Sequence, residues 1–198
     1  VAVLALAGSG ALNRTNTEAT SIYTSFIDGK SYGEILQRMA NSLVFGQIEA
    51  GRVGRGGWYY NFNASSSDGS TVGWVLLGLL DAEAAGITIP DFVKTEHAFA
   101  ADASLNVDGS YDYQSDGNPN SNNSVGIEKG GVGLQSLFFA GLNATASGVS
   151  RSDVETYLSD RWNGGPTALF STSWRCRLGS PANFDYNHGC AYSMYNAF

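Results

Sequence analysis

The residues best suited to chemistry in this chain stand beside the starts of apolar stretches. They are three carboxylates and an imidazole: Asp68, Glu128, Asp185 and His188. Such groups are the usual general acids and bases of enzymes, because burial and neighbouring charges tune their protonation. If the apolar stretches are helices, the free N–H groups of their first turns also favour a bound anion. These four residues form the candidate catalytic set.

Each member of this set also has a structural interpretation. Asp68 is a good N-cap residue, Glu128 with Lys129 fits a solvated first turn, and His188 fits a hydrogen-bonded structural role. Asp68 has no second carboxylate beside it to raise its pKa, so we expect it to be ionised rather than a strong acid. The sequence thus leaves open whether the protein is an enzyme.

An aromatic residue, a spacer and a tyrosine recur along the chain as Trp58-Tyr59-Tyr60, Tyr111-Asp112-Tyr113 and Phe184-Asp185-Tyr186. Each copy precedes an apolar, glycine-punctuated stretch, and such a repeat indicates an array of similar helical units. Aromatic rings in these turns suit stacking on sugars or lining a terpenoid pocket, and they equally suit packing between helices. The candidate ligand-binding residues are Trp58, Tyr60, Tyr111, Tyr113 and Tyr186.

Two kinds of helix alternate between these motifs. Capping boxes at Ser31–Glu34 and Ser152–Glu155, and a proline start at Pro90, open amphipathic helices. Their predicted inward residues are Leu36, Met39, Ala40 and Leu43, then Phe92, Val93, Phe99, Ala100 and Ala103, then Val154, Tyr157 and Leu158. Residues 70–85 and 125–142 are apolar on nearly every side, which is typical of helices surrounded by protein. The pattern predicts an all-α protein with amphipathic helices in an outer layer and buried helices in an inner layer.

The first copy carries a family resemblance. Gly57-Trp58-Tyr59-Tyr60, followed by Asp68-Gly69-Ser70-Thr71 and Leu76-Leu77-Gly78-Leu79-Leu80, resembles the prenyltransferase and squalene-oxidase repeat. The resemblance implies the α/α toroid, or partial α/α barrel, of squalene-hopene cyclases and protein prenyltransferase β subunits. We expect one toroid domain or fragment over residues 1–198, with repeats at about 31–86, 90–148 and 150–198. Because the helices are too few for a whole ring, we expect self-association or further repeats to close it.

The residues that define activity in these relatives are missing. Asp185-Tyr186-Asn187-His188 resembles the stretch that carries a zinc-binding histidine in prenyltransferases, but no Asp-x-Cys pair accompanies it. An Asp-x-Asp-Asp acid motif and a Cys-Gly-Glu-Gln thioester are also absent from the sequence. Polysaccharide lyases on toroid folds use Asn, His, Tyr and Arg, and the matching residues here are Asn187, His188, Tyr192 and Arg175 or Arg177. We expect no metal and no cofactor.

Two further features of the sequence remain open. Asp116, Asn118, Asn120 and Asn122 alternate as calcium ligands do, but Ile127 stands where a bidentate glutamate is needed, so a polar turn also explains them. Cys176 and Cys190 would form a disulfide in a secreted protein and remain thiols in the cytosol.

The composition of the chain argues against some classes of partner and favours one cellular location. The net charge of −7 and the scarcity of lysine exclude a nucleic-acid partner and disfavour anionic membranes. No stretch is long enough to span a membrane, and the apolar opening Val1–Gly8 fits the end of a buried helix better than a signal peptide. Polar, uncharged loops favour an extracytoplasmic setting, that is periplasmic, secreted or at the cell surface.

The sequence therefore predicts a ligand- or partner-binding toroid module of an extracytoplasmic, bacterial-type protein, with a small molecule or a glycan as ligand. The alternative is an enzyme, either terpenoid cyclase- or prenyltransferase-like or a polysaccharide lyase.

Overall fold

The computed structural model describes residues 2–17, 27–115 and 127–162. These residues form α1 (Ala2–Ala7), α2 (Tyr32–Phe45), α3 (Gly69–Ala84), α4 (Asp91–Ser104), α5 (Ile127–Phe139) and α6 (Arg151–Trp162). The described ranges contain no strand, only isolated bridges such as Leu105–Tyr111 and Ala144–Ser150. The prediction of an all-α protein is confirmed.

Two of the helices begin with a reciprocal capping box. At α2 the box is the predicted one, since Glu34 N donates to Ser31 Oγ at 3.1 Å and Ser31 N donates to Glu34 Oε2 at 2.8 Å. At α6 the predicted box at Ser152 is wrong. Ser150 and Asp153 form it instead, through Ser150 N to Asp153 Oδ2 at 2.8 Å and Asp153 N to Ser150 Oγ at 3.3 Å. The two possible boxes differ by two residues, and the bridge between Ala144 and Ser150 fixes the chain just before α6.

The helices with apolar sequences pack centrally. Helix α3 contacts α1, α2 and α5, and α5 contacts α3, α4 and α6. Glycine allows this close approach, because a Cβ atom on Gly73 of α3 would lie 3.0 Å from Val132 of α5, and one on Gly130 of α5 would lie 2.4 Å from Leu158 of α6. The predicted inward residues of α6, Val154, Tyr157 and Leu158, are buried.

The sequence predicted that the apolar helices are surrounded by protein, but each has an exposed side chain. Trp74 on α3 is 44% exposed and Phe138 on α5 is 70% exposed. Ser70 and Asp81 are exposed on α3 as well. Since residues 70, 74 and 81 recur at helical spacing, they mark one open face of α3.

The buried face of α4 differs from the predicted one. Phe92 and Phe99 are exposed, whereas the residues that pack inward are Val93, His97, Ala100, Ala101 and Ser104. The chain segment ahead of α3 lies against this helix, since a Cβ atom on Gly56 would lie 1.9 Å from the Glu96 carbonyl oxygen. Arg55 from that segment covers Phe99, with its guanidinium 3.5 Å from the ring centroid, and binds Glu96 through two bonds of 2.7 and 2.9 Å.

The two described glycine-aromatic turns occupy equivalent places. Gly56 has a φ of 78°, and a Cβ atom on it would lie 1.9 Å from the carbonyl oxygen of Glu96 on α4. Gly109 has a φ of 81°, and its Cβ atom would lie 2.2 Å from the carbonyl oxygen of Asp153 on α6. Each turn therefore contacts the next amphipathic helix of the sequence, which is α4 for the first turn and α6 for the second. Only glycine combines this conformation with this contact.

Candidate functional site

The start of α3 is where both aromatic turns meet. Asp68 is the N-cap residue, only 2% exposed, and its Oδ1 accepts from Thr71 N at 3.0 Å and from the hydroxyl of Ser70. Gly69 N donates to the carbonyl oxygen of Tyr113 at 2.6 Å, which fastens the second turn to the first residue of the helix. The first turn is held to the same point by Asp68 N, which donates to Trp58 O at 2.9 Å.

Five side chains gather around this helix start, and we call them the tyrosine cluster: Tyr60, Asp68, Ser70, Tyr113 and Lys129. The hydroxyls of Tyr60 and Ser70 are 3.1 Å apart. Asp68 and Ser70 are the polar side chains that act on the Tyr113 hydroxyl. Lys129, in the first turn of α5 and only 6% exposed, has its Nζ 5.0 Å from the centroid of the Tyr113 ring.

The surroundings of Tyr113 keep its phenol protonated. Burial, followed by the hydrogen bond with Asp68, raises the pKa of Tyr113 to about 12. At neutral pH this hydroxyl therefore acts as a hydrogen-bond donor and not as a general base. Lys129 adds a cation to the face of the ring. The cluster offers positioned hydroxyls to a ligand.

The structure brings together only some of the predicted residues. Asp68, Tyr60 and Tyr113 lie in the cluster. Trp58 and Tyr111 are core residues with 2% and 1% exposure, and the Trp58 indole N–H donates to the Leu43 carbonyl at 2.8 Å. Both rings are covered by protein, so the candidate site does not include them.

The remaining predicted residues fall elsewhere. Residue 128 lies in the first turn of α5, and its side chain is outside the described part. Asp185, Tyr186 and His188 are outside the described residues, as are the two cysteines, the lyase-type residues and the loop at Asp116–Asn122.

His97 has a structural role that the predicted inward face of α4 did not include. Its side chain is fully buried, with Nδ1 3.0 Å from the Gly56 carbonyl oxygen and its ring beside Trp58 and Phe139 at 5.5 and 5.7 Å. Nε2 has no hydrogen-bond partner within the described residues. Burial lowers the pKa of His97 to about 4. The sequence did contain a signal for this burial. His97 stands four residues from both Val93 and Ala101, which places it on the same face of α4.

A polar depression of about 380 Å³ lies beside the cluster, lined by Arg52, Tyr59, Asn61, Asn63, Ala64, Ser65 and Ser66. A second depression, of about 330 Å³, lies apart from the cluster, around residues 10–14 with Ala7 and Ala85. Both are open to solvent, and neither contains a member of the cluster. Tyr59 of the first depression contacts Tyr60 edge to face, with ring centroids 5.3 Å apart. The first depression therefore adjoins the cluster at Tyr59.

Across the described ranges, no group of three or more His, Cys, Asp or Glu side chains is arranged to hold a metal ion. No helix in the part of the chain that the structure describes has the length and apolar character needed to cross a membrane. Comparison of the chain with protein-family models, curated proteins and solved structures gives no match.

Proposed function

We propose that the protein is a ligand-binding module of the α/α toroid type, and that it holds a glycan or another hydroxyl-rich molecule at the tyrosine cluster. The toroid part of the proposal is supported by the contacts between helices. Helices α1, α3 and α5 contact one another in series, while α2 contacts α1 and α3, and α4 and α6 contact α5. This order suits an arc of two layers, in which repeats at about 31–86 and 90–148 each place an aromatic turn before an inner helix.

The binding part of the proposal is carried by one observation, the convergence of both aromatic turns and Lys129 on the start of α3. Tyr60 is 72% exposed and Ser70 is exposed, so a ligand can reach their hydroxyls. Asp68 and Lys129 are buried behind them. A few positioned polar groups over a rigid base are typical of small-molecule sites.

The character of the surface favours a sugar over a terpenoid. A terpenoid site needs a deep apolar pocket, and the apolar side chains that would line one, Trp74 and Phe138, are 44% and 70% exposed. The depression beside the cluster is lined by arginine, asparagine, serine and tyrosine. The module is proposed to function outside the cytoplasm, with further repeats or self-association completing the ring.

The test of this function is Tyr60→Phe, assayed by calorimetry with neutral and acidic tetrasaccharides. The substitution removes one exposed hydroxyl and leaves the ring, so the fold is kept. We expect binding of the tightest tetrasaccharide to weaken by about fivefold, which corresponds to one lost hydrogen bond of about 1 kcal/mol.

Tyr32→Phe is the matched control, because Tyr32 lies on α2 with Arg14 5.7 Å from its ring and is no part of the cluster. It should bind as the wild type does. Equal binding by Tyr60→Phe and the wild type would contradict the proposal, and so would the absence of binding to every tetrasaccharide.

A further inference from the structure

We infer that the polar depression beside the tyrosine cluster is a subsite for an acidic sugar unit, and that Arg52 receives its carboxylate. The inference rests on the proposed function, since it names the class of glycan that the same surface would take. A uronic-acid unit in the depression would be joined to the sugar unit held at the cluster.

The depression has a fixed base. Gly54 N donates to Ser65 O at 2.9 Å, and a Cβ atom on Gly54 would lie 2.3 Å from Ser67 N, so residues 65–67 lie directly on the preceding turn. Asn63 in this loop adopts a left-handed φ of 58°. A cavity shaped before binding loses little conformational entropy when a ligand enters.

The side chains that line the depression are complementary to an acidic sugar. Its one charged residue is Arg52, and none of the lining residues is a carboxylate. Guanidinium groups bind carboxylates through two parallel hydrogen bonds, while amides and hydroxyls such as those of Asn61 and Ser66 suit sugar hydroxyls. Arg55 is already bound to Glu96, whereas Arg52 forms no ion pair with any described residue.

The depression adjoins the cluster through the neighbouring residues Tyr59 and Tyr60. Tyr59 lines the depression and contacts the Tyr60 ring, and the Tyr60 hydroxyl reaches Ser70 in the cluster. We therefore assign one sugar unit to each, in a ligand of at least two linked units. The net charge of −7 repels long polyanions, so we assign the surface to short acidic oligosaccharides.

The experiment compares tetragalacturonate with its fully methyl-esterified form, by calorimetry at low salt. We expect the wild type to bind the acid about fivefold more tightly than the ester, because Arg52 is exposed and its attraction is partly screened. Arg52→Gln should lose this preference, because its affinity for the acid should fall to its affinity for the ester. Arg38→Gln, which changes an exposed arginine on α2, should keep it.

The outcomes separate the two proposals. If the wild type does not prefer the acid, or if Arg52→Gln retains the preference, the acidic subsite is overturned. The proposed function then still stands if ester binding depends on the Tyr60 hydroxyl. If the wild type binds neither form, the acidic subsite is overturned as well. Unchanged thermal melting of Arg52→Gln confirms that the comparison is made on folded protein.

Discussion

Replacing Gly56 by alanine is expected to lower the free energy of unfolding by about 4 kcal/mol. The φ of 78° is unfavourable for alanine, and the new Cβ atom would lie 1.9 Å from the carbonyl oxygen of Glu96. The turn must then move away from α4. That movement disturbs two hydrogen bonds to the Gly56 carbonyl oxygen, from Gln47 Nε2 at 3.0 Å and with His97 Nδ1 at 3.0 Å. Urea denaturation followed by circular dichroism measures the effect.

Gly51→Ala is the matched control for this substitution. Gly51 has a φ of 85°, and nothing lies within 4 Å of its Cβ position. Only the backbone conformation opposes alanine there, so we expect a loss of about 1 kcal/mol. A Gly56→Ala variant as stable as Gly51→Ala would show that the turn does not need to touch α4.

The second repeat offers the same comparison independently. Gly109→Ala should destabilise as Gly56→Ala does, because its Cβ atom would lie 2.2 Å from the Asp153 carbonyl oxygen. Gly148, with a φ of 89° and open space around it, is its control. Similar losses at both positions are expected if the two turns are repeats of one structural unit.

The second large effect is a loss of stability in acid that depends on His97. The pKa of His97 is lowered by burial from 6.5 to about 4, so in this range the unfolded chain binds a proton that the folded protein does not. Stability therefore rises with pH through this window. We expect the His97 contribution to the free energy of unfolding to fall by about 3 kcal/mol between pH 6.5 and pH 4, with little further change below the folded pKa.

A His97→Gln variant isolates this contribution. The charged groups beside His97 on α4 are Glu96, paired with Arg55, and Lys94, paired with Glu83; Lys94 Nζ lies 6.0 Å from the Phe139 ring. Lowered carboxylate pKa values, at Glu96 through Arg55 and at Glu34 and Asp153 through their capping serines, also reduce stability as the pH falls. These groups are present in both proteins. The difference in unfolding free energy between wild type and variant should therefore shrink toward pH 4.

Denaturation curves at several pH values, followed by circular dichroism, provide the measurement. The variant should be less stable than the wild type at pH 7 and less sensitive to acid. Parallel pH profiles of the two proteins would show that His97 is not buried in its neutral form.

Much of the fold follows from local patterns. The box at Ser31–Glu34 and the N-cap role of Asp68 depend on neighbours within a few residues, so the sequence contains all the necessary information. The prediction that Phe92 and Phe99 of α4 face inward is wrong for a reason that is not local. Phenylalanine is ordinarily a core residue, but Phe92 and Phe99 are exposed, because the face of α4 that packs inward carries Val93, His97 and Ala100 instead. Arg55 from a distant segment of chain lies over the Phe99 ring. A periodic pattern cannot show which partner will cover a face.

The residues of the candidate site could likewise be predicted only in part from the sequence. The sequence by itself determined that the chain is helical, that glycine-aromatic turns precede apolar helices, and that Asp68, Tyr60 and Tyr113 stand near helix starts. Only the tertiary structure decided that Tyr60 and Tyr113 share the start of α3 with Lys129, that Trp58 and Tyr111 belong to the core, and that His97 is buried. The physical reason is range, since capping and periodicity act over a few residues, whereas burial and hydrogen bonding here join residues more than forty positions apart.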